Sequence, residues 1–179
     1  ALFQEGASIT HENRYSETGL MIASTLGDST GVTSMVGFGA LVEMECKNQD
    51  TALICAARAG KVPTLITLME CGARVDSCNS EGYTALMSAA SAGQNEAAMI
   101  ILERGATKRR QTKDGSIALT FAARKGHADM CTLLLQHGSP VDHETMSGET
   151  ALTIAAKQGN LRVIGALLQA GALVDRETQ

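Results

Sequence analysis

A seven-residue phrase recurs at a fixed interval of 33 positions. It reads Thr51-Ala52-Leu53-Ile54-Cys55-Ala56-Ala57, then Thr84-Ala85-Leu86-Met87-Ser88-Ala89-Ala90, then Ile117-Ala118-Leu119-Thr120-Phe121-Ala122-Ala123, then Thr150-Ala151-Leu152-Thr153-Ile154-Ala155-Ala156. A worn copy, Thr18-Gly19-Leu20-Met21-Ile22-Ala23-Ser24, precedes them. Glycine keeps the same register at Gly27, Gly60, Gly93, Gly126 and Gly159, and again in pairs from Gly6-Ala7 and Gly39-Ala40 to Gly171-Ala172. A third series, Gly82, Gly115 and Gly148, precedes three of the phrases; Ser16 and Gln49 replace it in the earlier copies. A strict period of this length describes stacked units, each of which contacts only its neighbours.

Each unit reads as turn, helix, turn, second helix. The Thr of the phrase caps the first helix by accepting from a free N–H. Ala-Leu-x-x-Ala-Ala places small apolar residues at helical spacing, so the next unit can approach closely. The second helix is clearest over His127–His137, where Met130, Leu133, Leu134 and His137 form a stripe at i, i+3, i+4 and i+7, ending in a half-buried position. Pro63 falls in the first turn of its helix, where the missing N–H is harmless. The polar stretch Thr107 to Gly115 reads as an extended finger turning at Lys113-Asp114-Gly115. Aromatic residues make up only 3% of the chain and Trp is absent; the core must therefore be built from thin layers of Ala and Leu.

This pattern resembles the ankyrin repeat. The family's Gly-x-Thr-Pro-Leu-His-x-Ala-Ala core is matched by Gly82 to Ala90 and by Gly148 to Ala156, and its Gly-His…Leu-Leu-Leu-x-x-Gly-Ala run by Gly126-His127 through Gly138-Ser139. The resemblance implies one all-α solenoid domain over 1–179, with β-hairpin-like fingers. Its repeats would fall at 13–45, 46–78, 79–111, 112–144 and 145–177, after a partial repeat at 1–12. Polar capping repeats are not evident at either end, so the chain reads as a segment of a longer protein. Two departures stand out. Proline is replaced by Ala52, Ala85, Ala118 and Ala151, or by Gly19. The family's histidine, which ties neighbouring fingers together, is replaced by Met21, Ile54, Met87, Thr120 and Thr153. Looser bracing is expected, with Thr120 and Thr153 each retaining one bond. The repeat at 13–45 is the weakest, because Gly31, Gly37 and Gly39 crowd its second helix.

Little in the chain points to chemistry. Five cysteines without regular spacing argue against a disulfide framework, and no CxxC pair offers a zinc site. Free thiols suit a reducing compartment, so a cytoplasmic or nuclear location is expected. Asp142, His143 and Glu144 resemble a metal cluster only on paper, since alternate residues of an extended finger face opposite ways. No nucleophile–base pair is evident. We expect no enzyme activity, no cofactor, no metal and no membrane-inserted segment.

The resemblance implies instead a binding face: a concave palm of fingers and first helices. Carried over by position, its partner-binding residues are Glu81 and Tyr83, Lys113, Asp114 and Ser116, Glu149, and the helix-end positions Ser91, Arg124, Lys125 and Lys157. Lys47, Asn48, Asp50 and Arg58 occupy matching places in an earlier repeat. Basic residues gather around the fourth repeat, at Arg104, Lys108, Arg109, Arg110, Lys113, Arg124 and Lys125, within a chain of net charge −4. An acidic or phosphorylated peptide lying across Tyr83, Lys113, Arg124 and Lys125 is the expected partner. Nucleic acid is disfavoured by the negative net charge and the lack of an interleaved aromatic platform. The main alternative is a regulatory or targeting segment of a larger enzyme or channel, docking in cis. A lipid-headgroup site at Lys108-Arg109-Arg110 is a more remote one.

Overall fold

A computed structural model of the protein describes residues 11–47 and 49–174. Ten helices follow one another among them: α1 (Gly19–Leu26), α2 (Ser29–Gly37), α3 (Ala52–Arg58), α4 (Val62–Glu70), α5 (Ala85–Ala92), α6 (Asn95–Glu103), α7 (Ala118–Lys125), α8 (Ala128–Gln136), α9 (Ala151–Lys157) and α10 (Leu161–Gln169). They form five pairs. The odd-numbered inner helices stack in sequence, as do the even-numbered outer ones, and each pair is closed by a glycine turn. The partial repeat expected at 1–12 lies almost wholly outside the described residues.

The caps follow the phrase. Thr18, Thr51, Thr84 and Thr150 each accept a bond from the N–H three residues on, at 3.2–3.4 Å. Ile117 has no hydroxyl to offer. There the bond runs the other way: Thr120 Oγ1 accepts from the Ile117 N–H at 2.9 Å and donates to the Ile117 carbonyl at 2.7 Å. Thr153 does the same for Thr150. The two threonines thus hold more bonds than expected, but within their own helix starts, and they tie no fingers together.

The layers are thin because their facing side chains are small. Ala89, Ala90, Ala122 and Ala123 are fully buried. Leu53, Leu86, Leu119 and Leu152 fill the space between inner and outer rows, joined by Leu65, Leu68, Ile101, Met130 and Leu134. Burying each such side chain contributes roughly 1.5–3 kcal/mol. In α8 the stripe is buried at Met130 and Leu134 and partly at Leu133. His137, expected to be half-buried, is the exposed C-cap residue.

The fingers carry no extended strands among the described residues; single bridges join Glu12 to Thr18 and Cys78 to Thr84. Main-chain bonds link finger to finger: Lys113 N donates to the Glu81 carbonyl at 3.0 Å, and Met146 N to the Asp114 carbonyl at 2.9 Å. These bonds supply the bracing that the missing histidine would give. An imidazole also takes part, from another position: His143 Nε2 lies 2.8 Å from the Gly115 carbonyl oxygen.

Gly82 shows why the third glycine series exists. Its φ is +86°, and a Cβ there would lie 2.8 Å from the Gln111 carbonyl oxygen of the next finger. Ser16 and Gln49 hold the same left-handed conformation, at φ of 57° and 60°, without that freedom, at a cost of roughly 1–2 kcal/mol each. The first pair is weak in a further way, since α2 buries only Val32. Gly31, however, is not merely a weakness. Asp28 caps α2 by accepting from the Gly31 N–H at 2.8 Å, and a Cβ on Gly31 would strike that carboxylate.

Two outcomes are expected. In hydrogen exchange followed by mass spectrometry, residues 13–45 lose protection well before residues 79–174; equal protection would contradict the weak first pair. Gly82→Ala lowers unfolding stability in urea by at least about 1–2 kcal/mol, more than the same substitution at Gly37, which has open space at its Cβ position and no positive φ.

Candidate functional site

A groove runs over the fingers and the C-terminal ends of the inner helices. Its larger part, about 530 Å³, is lined by Lys47, Asp50, Arg58, Asn79, Glu81 and Tyr83 among others. A smaller recess of about 270 Å³ continues from it, lined by Arg58, Tyr83, Ser88, Ser91, Ala92 and Lys125. Arg58 and Tyr83 belong to both, so the two form one continuous depression.

Its floor is rigid. Asp50 is 4% exposed and carries two neighbours: the Arg58 guanidinium, ion-paired through Nη2, and Asn79, whose Nδ2 donates to Oδ1 at 2.9 Å. Burial opposes the charge on Arg58, but the bond and the field of Asp50 raise its pKa above the ordinary value. Asn79 Oδ1 also accepts from the Glu81 and Tyr83 N–H groups, fixing the finger that presents Tyr83. The Tyr83 ring packs on Phe121 with centroids 4.9 Å apart, and the Arg124 guanidinium lies over the other ring at 5.7 Å. Tyr83 is therefore half-buried, with its pKa raised by burial and by Asp114, against the opposing field of Arg124.

The expected site residues divide into three groups. Glu81, Lys113, Asp114, Lys125 and Lys157 are exposed, and Tyr83, Ser91, Arg124 and Glu149 are partly exposed. Four of these spend their charge on each other: Lys113 pairs with Glu81 at 3.1 Å and Lys157 with Glu149 at 2.6 Å. Ser116 is a correction. It is fully buried, its hydroxyl donating to Asp114 Oδ2 at 2.9 Å, and it braces the finger from inside. Asp50 is likewise interior. Asn48 lies outside the described residues.

The basic cluster of the fourth repeat also separates. Arg124 and Lys125 end the inner helix α7, whereas Arg104 caps the outer helix α6. In an antiparallel helix hairpin those ends point opposite ways. The linker beyond Arg104 is engaged locally: Asp76 accepts from the Thr107 N–H and hydroxyl, and its carbonyl from Arg110. Two groove residues, Asn79 and Ser88, escaped the reading by position. Ser88 sits inside the apolar phrase, where the other copies carry Ile22, Cys55, Phe121 and Ile154. A polar residue in that column was the available signal.

A family model describing three consecutive ankyrin repeats matches residues 20–112 and again 105–178. The chain belongs to the ankyrin-repeat family. Ankyrin repeats are in general protein–protein interaction modules and are typically non-catalytic. No curated protein matches the chain. In this ankyrin array the described residues contain no group of His, Cys, Asp and Glu suited to a metal, and no helix long and apolar enough to cross a membrane. Asp142 accepts from the Leu173 N–H and His143 braces a finger, so both serve the fold. Burial pushes the Cys55 thiol up to about 11 and the Cys131 thiol up to about 12, which leaves both poor nucleophiles at neutral pH.

Asp114 gives a pH test. Partial burial works against its charge, but bonds from the Thr112 hydroxyl and from the Ser116 N–H and hydroxyl outweigh it and hold the carboxyl below its ordinary value. A depressed folded-state pKa adds stability that is present above the unfolded value of 3.8 and is lost as pH falls through the folded one. Asp114→Asn is therefore less stable than the parent at pH 7, and the gap in urea midpoint narrows below pH 3.8; a pH-independent gap would contradict the assignment.

Proposed function

We propose that this ankyrin array is a protein-interaction scaffold that takes an acidic segment of a partner protein across its concave face, centred on Tyr83, Arg58, Arg124 and Lys125. The observation that carries the reading is the groove itself, which joins finger and inner-helix residues of successive repeats around one half-buried tyrosine. A stacked scaffold presents such a surface with little ordering cost on binding. The expected role of Lys113 is reduced, because Glu81 already neutralises it, and Lys157 is likewise matched by Glu149. Lys125 makes no ion pair among the described residues, so its charge remains available to a partner. Half-buried aromatic and arginine side chains at the centre of a concavity are the residue types that dominate interface energetics.

The test is affinity capture from cell extract with the full chain, followed by titration of the recovered partner. Reversing both charges with Arg124→Glu and Lys125→Glu is expected to weaken binding by about tenfold or more, since charged contacts are worth roughly 1.5–3 kcal/mol, and to flatten its dependence on salt. Unchanged affinity and unchanged salt dependence would rule out this face.

A further inference from the structure

The smaller recess of the groove has a chemistry narrower than general stickiness towards acid. Its lining combines two cations, Arg58 and Lys125, with three hydroxyls, from Tyr83, Ser88 and Ser91. Ser88 is the decisive member. It is 3% exposed, it lines the recess, and its hydroxyl makes no hydrogen bond among the described residues. Its oxygen is not among the sealed, unpartnered polar atoms of the described residues, so the hydroxyl opens into the recess and is free to donate there. Every other copy of the phrase places Ile22, Cys55, Phe121 or Ile154 in the same column and offers no hydroxyl there.

The charge around the recess is also definite. Arg58 is offset by Asp50, and Lys113 nearby by Glu81. Arg124 is held over the Phe121 ring and does not line the recess. Lys125 is left as a surplus of one positive charge. Arg58 commits one Nη2 hydrogen to Asp50 and keeps further N–H donors for a ligand. One surplus charge, with donors from hydroxyl and guanidinium, complements a monoanion accepting through two oxygens. A phosphate group, at −1.5 to −2, would carry more charge than the recess balances.

We propose that the recess formed by Arg58, Tyr83, Ser88, Ser91 and Lys125 is a receptor for a single carboxylate, the side chain of one glutamate or aspartate in the partner segment. This rests on the concave-face reading and names its anchor. The carboxylate accepts from Lys125 Nζ and the free N–H groups of Arg58, and the Ser88 hydroxyl donates to it. No bond is made or broken covalently.

The experiment is a proton–nitrogen NMR titration of the full chain with N-acetylglutamate N-methylamide at constant ionic strength. The glutamine and O-phosphoserine counterparts serve as comparators. Saturable shifts at the Ser88, Ser91 and Ala92 amides with the glutamate probe are expected, with none from glutamine and no tighter binding from phosphoserine. Ser88→Ala and Lys125→Gln are each expected to weaken the glutamate probe about tenfold. Ser88→Ala should keep the fold, since apolar residues fill this column elsewhere in the array. The proposal is overturned by shifts that do not saturate or fall elsewhere, by an equal response to glutamine, by tighter binding of phosphoserine, or by unchanged affinity in either variant. The probe needs no partner protein, so a negative result removes the carboxylate receptor alone. The wider face is judged separately, by charge reversal at Arg124 and Lys125.

Discussion

Ala89 and Ala90 of one inner helix and Ala122 and Ala123 of the next are wholly buried, and the distance between layers follows from their size. A larger side chain at these places would separate neighbouring helices and with them the fingers that precede each helix. The main-chain bonds from Lys113 to Glu81 and from Met146 to Asp114 need fingers at a fixed spacing. The groove needs it too, because Arg58, Tyr83 and Lys125 come from three successive layers. Close approach of backbone to backbone is also why Gly82 has no room for a Cβ.

The architecture could be read from spacing alone. Helix order, glycine turns and the threonine caps follow from a period repeated often enough that local ambiguity cancels. Where the text of the repeat changes, reading by position fails. Ile117 gives no sign that Thr120 will take over its cap from three residues away. Loss of the family's histidine suggests loose fingers, yet the tie is made by backbone and by His143, from a column where it was not sought. Ser116 occupies a surface column of the repeat but turns inward to serve Asp114.

The candidate site was harder to read because charge in a sequence has no partner attached. Seven basic residues around the fourth repeat look like one cluster when written in a line. In space, Lys113 is cancelled by Glu81, Arg110 reaches the carbonyl of Asp76, and Arg124 is drawn onto an aromatic ring. What survives of the seven is Lys125, which meets in the recess Arg58, a residue two repeats away in number. Conversely, Tyr83, expected among the partner-binding residues, has a further task as the packing partner of Phe121. A residue that both stiffens the palm and faces the groove presents a surface that is already ordered before anything binds.

The bonds between layers have one further property. His127 reaches Ser91 across 36 positions, Asn160 reaches Ala123 across 37, and Lys47 reaches Arg14 across 33. Among the described residues these tertiary ties all bridge about one repeat. Contact order is therefore low for a chain of this length, and the loop that must close to add a layer is the same size everywhere. Closure entropy does not accumulate as the array grows. Such a chain can nucleate at whichever neighbouring pair is most stable and extend in both directions, like a one-dimensional lattice.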